Sequence, residues 1–139
     1  MAALTKDTPR SYMGNAAPGL RLFKVAANTT IYQGGALAKT ATGEVSPFTD
    51  GDVFAGFASD GIKTDDSTGV DLEVYTEGKI LLNISASTAS AIGTSVYVTT
   101  DGDFSLTDSG SDTVLGVLYH QKSASSTWWY VDFKGAGNQ

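Results

Sequence analysis

The chain has no cysteine, three prolines, one histidine and two arginines among its 139 residues. Without cysteine there is no disulfide framework and no thiolate site for zinc or an iron–sulfur cluster. With one histidine, His120, a nucleophile–histidine–acid arrangement has a single possible base. No G-x-S-x-G elbow accompanies it, so His120 reads as a strand residue. G-x-x-x-x-G-K-[ST] and G-x-G-x-x-G are both absent, which leaves nucleotide binding without support. No apolar run is long enough to span a membrane as a helix, and residues 1–10 carry no signal-peptide hydrophobic region. Charged residues are only 17%, and hydrophobic residues at 41% are too many for a disordered chain. The length fits one domain.

What is abundant is glycine, 16 residues, which favours turns over long helices. The charge is also unevenly spread. Residues 1–24 hold Lys6, Arg10, Arg21 and Lys24 against Asp7 alone, about +3, and include both arginines. The rest holds five lysines against fourteen acids, about −9. Such a body repels phosphates, so nucleic acid is not an expected partner.

Residues 1–19 show neither helical nor strand periodicity and read as an extended N-terminal arm, with Tyr12, Met13 and Leu20 as small anchors. The body, 20–139, alternates in the β manner. Its first strand sets Leu20, Leu22 and, after a break, Val25 with Ala27 on one face, with Phe23 opposite. Further strands are expected at 36–39, 53–58, 70–76, 79–84, 95–99, 104–106, 114–120 and 127–133. Turns fall at Thr42-Gly43, Asp50-Gly51, Asp60-Gly61, Glu77-Gly78, Asp101-Gly102 and Ser109-Gly110. Asp101-Gly102 has the composition of a type I′ hairpin turn. Only residues 86–92 suggest a short helix.

An internal repeat organises these runs. Residues 34–45 (GGALAKTATGEV) match 93–104 (GTSVYVTTDGDF), 54–58 (FAGFA) match 114–118 (VLGVL), and 72–78 (LEVYTEG) match 129–135 (WYVDFKG). The offset stays near 57–60 residues, too long for a solenoid, so two copies of one β unit share a core. Gly56 and Gly116 then mark bends or close backbone approaches. The expected fold is all-β: a small barrel or sandwich, β-tulip-like, of two similar units, with an extended arm and at most one short helix.

Chemistry-bearing candidates are sparse. Asp65, Asp66 and Asp71 fail the calcium-loop spacing, and Asp101/Asp103 and Asp108/Asp112 read as turn formers. No metal, cofactor or catalytic residue is assigned. A hydrolase with paired acids is the last-ranked alternative. In Trp128-Trp129-Tyr130, alternation and the repeat put Trp129 in the core and Trp128 with Tyr130 on the other face. That pair is a possible subunit or ligand surface, aromatics being enriched at interfaces.

The stretches IYQGGAL (31–37), TGEV (42–45) and FAGFA (54–58), echoed by IGTSVYV (92–98) and VLGVL (114–118), resemble the capsid decoration, or cement, proteins of tailed phages. The segment 70–80 (VDLEVYTEGKI) is also similar to the lambda-type head-decoration proteins. The resemblance spans about residues 20–135 and implies a non-enzymatic knob, a homotrimer at three-fold or quasi-three-fold positions on the outer surface of the virion capsid. Its partner would be the major capsid protein, clamped against the pressure of packaged DNA, with no membrane or nucleic acid involved. Arg10, Tyr12, Leu20, Arg21 and Phe23 are the expected capsid-contacting arm residues. On this reading, removal of 1–19 costs binding and leaves the body folded. The alternative is a glycan-binding β-module using Trp128 and Tyr130.

Overall fold

Eleven strands account for nearly all regular structure in the computed structural model, which describes residues 3–13, 19–49, 51–66, 70–84, 89–107 and 113–135. They are β1 (Gly19–Val25), β2 (Thr30–Ile31), β3 (Ala36–Lys39), β4 (Glu44–Pro47), β5 (Val53–Ala58), β6 (Ile62–Lys63), β7 (Asp71–Asn83), β8 (Ser95–Thr100), β9 (Asp103–Ser105), β10 (Thr113–Gln121) and β11 (Trp128–Lys134). With 57% of residues in strands, the protein is all-β. Of the short helix expected over 86–92, Ala89–Ala91 form a 3-10 turn, and residues 86–88 lie outside the described set. So do Asp50, Asp108, Ser109, Gly110 and Asp112 among the turn residues singled out above.

The strand order is β1-β4-β3-β5-β7-β11-β10-β8-β9, and β1 also pairs with β7. The first five strands therefore close into a small barrel, and the last four extend the sheet beyond it. This order is a palindrome of two units: β4-β3-β5-β7 is mirrored by β9-β8-β10-β11. The hydrogen bonds repeat with the sequence offset. Gly34 N donates to Ala58 O at 3.0 Å, and Gly93 N to Leu118 O at 2.8 Å. Gly35 N reaches Tyr32 O as Thr94 N reaches Ala91 O, both at 3.0 Å. Ala58 N to Gly35 O and Leu118 N to Thr94 O are both 2.9 Å. Gly34 and Gly93 share positive φ, 81° and 87°. Finally, a Cβ on Gly56 would collide with Tyr75 O, and one on Gly116 with Asp132 O, the matching carbonyls. Only glycine lets the strands approach this closely.

β7 proves to have two identities. Val25 N donates to Val70 O at 2.9 Å, and Ile84 N to Thr127 O at 2.7 Å. Residues 78–84 thus stand in unit two where 19–25 stand in unit one. The expected break at Glu77-Gly78 does not occur; β7 runs through it for 13 residues, with Gly78 at φ 144°. Partners decide this: β1 and β5 bind the first half of β7 and β11 the second, and those ladders outweigh the local turn signal.

One buried cluster draws on all five barrel strands through Val25, Leu37, Val45, Ala55 and Val74. A larger one joins the units, with Phe57, Ile80, Leu82, Leu118, Trp129 and Phe133. Trp129 is fully buried, as its repeat position implied; burying such a side chain contributes on the order of 3 kcal/mol. Two local expectations are corrected. On β1, Phe23 and Val25 pack inward and Leu20 and Leu22 point out, because alternation continues without a break. The β8–β9 hairpin forms at Asp101-Gly102, but neither residue has the positive φ of a type I′ turn. A register shift between Val98 and Thr100 makes a different turn, and Asp101 is buried.

Candidate functional site

Residues 3–13 lie along the body. Leu81 N donates to Ser11 O at 2.9 Å and Met13 N to Lys79 O at 3.0 Å, so the arm adds a short antiparallel segment to β7 with Tyr12 opposite Ile80. Upstream, Thr8 N donates to Gln33 O at 2.8 Å, Arg10 Nε to Gly34 O at 3.0 Å, and Leu4 N to Asp101 Oδ1 at 2.9 Å. Asp7 Oδ1 accepts from Gln33 N at 2.9 Å. A Cβ on Gly34 would strike Thr8 O, so the glycine leaves room for the arm.

These contacts occupy a particular gap. In unit one, β1 closes the barrel by parallel pairing with β4 through Lys24↔Glu44 and Val25↔Val45. In unit two, the second half of β7 makes no such ladder with β9. The arm fills that seam: Arg10 lies 5.7 Å above the Phe104 ring of β9. Tyr12 stacks 4.6 Å from Tyr75 and 6.4 Å from Phe133. Burial holds the Tyr12 phenol well above its ordinary range, with Tyr75 adding to the effect. It lowers the Arg10 guanidinium, which Tyr12 and Asp101 partly offset. Asp101 is pushed above the usual carboxylate value by burial, against the pull of the Leu4 N–H and Arg10.

The sequence candidates therefore divide. Arg10 and Tyr12 are engaged within the molecule. Leu20 is 47% exposed, and Leu22, not singled out as a contact, is the most exposed large apolar side chain among the described residues at 66%. Arg21 sits 5.9 Å over the ring of Phe23, itself half-buried against the barrel core. The signal for Leu22 was present in its alternation with Phe23.

On the outer face of β10 and β11, Trp128 is exposed, Tyr130 is half-buried, and the His120 ring stacks on Tyr130 at 6.4 Å. Nearby, Lys79 Nζ lies 4.8 Å over the exposed Tyr119 ring. The structure thus brings Trp128 and Tyr130 to one face, with Tyr119 and His120 added. The acids do not converge: Asp71 pairs with Lys24 at 2.7 Å, Asp103 Oδ2 accepts from Thr99 Oγ1 at 3.0 Å, and Asp101 holds Leu4 N. Among the described residues, no group of three or more His, Asp or Glu side chains could hold a metal ion.

No protein-family model matches the chain, and none of the curated proteins is significantly similar to it.

Proposed function

We propose that this protein is a structural decoration protein of a tailed-phage capsid, binding the outside of the expanded shell and bridging neighbouring capsid subunits. The observation that carries the reading is the placement of the resembling motifs. Gly34 and Gly93 make equivalent bonds at the unit edges, while Gly56 and Gly116 permit equivalent close strand approaches. The motifs thus sit at the joints of the duplicated β body, and the resemblance implies a compact β-rich knob. Binding would be additive, modest contacts multiplied by the symmetry of the lattice.

The contact surface belongs to Leu20 and Leu22 on the outer barrel wall. Arg10 and Tyr12 act indirectly, by fixing the arm to unit two. Because Tyr12 packs against the core, point substitutions test the reading better than removal of the arm. Leu20→Ser with Leu22→Ser leaves the core untouched and is expected to abolish cosedimentation with expanded shells assembled from the major capsid protein of the same genome. Failure of the unaltered protein to cosediment with those shells would overturn the proposal.

A further inference from the structure

The two-unit symmetry carries a second consequence. In unit one the arm runs over Gln33, Gly34 and Gly61, held by the Thr8 N–H and the Asp7 carboxylate. The repeat maps those positions onto Ile92, Gly93 and Gln121 of unit two. There the surface is an open cleft of about 390 Å³, lined by Ile92, residues 120–124 and Trp129. Ile92 is 59% exposed, and a Cβ on Gly93 would meet nothing within 4 Å. One wall is a well-tied turn: Ser126 N bonds Ser123 O at 3.0 Å, Lys122 N bonds Trp128 O at 2.9 Å, and Gln121 Nε2 bonds Ser126 O at 2.9 Å. The cleft is thus the counterpart of a groove that already holds an extended chain.

Its charge is also distinctive. The lining carries His120 and Lys122 and no acid, on a body where acids outnumber lysines fourteen to five. In the occupied groove the arm likewise carries a carboxylate, Asp7, which accepts from Gln33 N and lies against Gly61. We propose that the cleft of unit two is a docking groove for an extended, carboxylate-bearing segment of a protein partner. Its side-chain acid meets Lys122 and His120, and its backbone follows the course that residues 5–10 take on unit one. This assignment stands apart from the capsid reading, since it rests on the repeat and the local charge.

The test uses the full chain, isotope-labelled for NMR, titrated with a synthetic peptide of residues 3–12 as the probe. Because the chain's own arm fills the unit-one groove, shifts are expected on Ile92, Gly93 and residues 120–124. The Asp7→Asn peptide should bind about threefold more weakly, the scale of a partly exposed ion pair. Lys122→Gln in the protein should erase that difference. No shifts at millimolar peptide, shifts confined to Gln33 and Gly34 through displacement of the arm, or equal binding of both peptides would each overturn the assignment.

Discussion

The two units share a hydrogen-bond plan and differ in how each is closed. Unit one seals its barrel with its own strand, β1 against β4. Unit two leaves the equivalent seam between β7 and β9 without a ladder, and residues 10–13 of the arm lie across it. The same plan has been completed once by regular pairing and once by a borrowed segment. The difference shows which groups are general to the unit and which serve the arm. Gly56 and Gly116 belong to the plan, whereas Tyr12, Arg10 and Asp101 belong to the borrowed closure.

The largest effect should follow from removing the plug. Tyr12→Ala takes a half-buried ring from between Tyr75 and Phe133 and is expected to destabilise the protein by about 2 kcal/mol. Urea unfolding measures the loss. Hydrogen exchange assigns it: the Leu81 and Met13 amides, which bond across the arm seam, should exchange faster. The Ala26 amide, bonded to Val45 O at 3.0 Å in the unit-one seam, should not. Equal acceleration at both seams would mean that the arm does not close unit two in particular.

A finer comparison uses matched glycines. Gly34 and Gly93 share the left-handed conformation, so alanine at either costs about 1–2 kcal/mol in backbone strain. Alanine at Gly34 also drives into Thr8 O, while Gly93 faces open space. Gly34→Ala should therefore cost at least about 1 kcal/mol more, the usual price of overpacking, and the excess should vanish in a Tyr12→Ala background where the arm is already loosened. An equal cost at the two sites would remove the arm from the account.

Much of this was legible in the sequence, because it is local or repeated. Alternation located β3, β5, β8, β10 and β11 closely, and the repeat placed Trp129 inside and Trp128 with Tyr130 outside. The paired glycines were readable as close approaches. What could not be read depends on distant partners. Glu77-Gly78 has turn composition, yet ladders on both halves of β7 carry the strand through it. Residues 3–13 have no periodicity, because they are held by scattered hydrogen bonds to Gln33, Gly34, Asp101 and β7 rather than by a face of their own. Asp101-Gly102 looks like a hairpin turn of the ordinary kind until the Leu4 amide draws its carboxylate inward. In each case the deciding contact lies dozens of residues away.

The smallest effect is a pH dependence that only unit two should show. The turn of unit one has Thr42 where unit two has Asp101, and its Gly43 takes the positive φ of 85° that Gly102 does not. Burial raises the Asp101 carboxyl above its ordinary 3.8, so between that value and the raised one the folded chain binds more protons than the unfolded chain. Stability from this group is then greatest at low pH and falls as pH rises through that window, the reverse of a salt-bridged carboxylate. Asp101→Asn keeps an acceptor for Leu4 N and has no charge to lose. Relative to the unaltered protein it should gain in urea stability on going from pH 3.5 to pH 7, most visibly through the amide exchange of Leu4. If the two proteins keep a constant difference across that range, the buried carboxylate is not what tunes the arm.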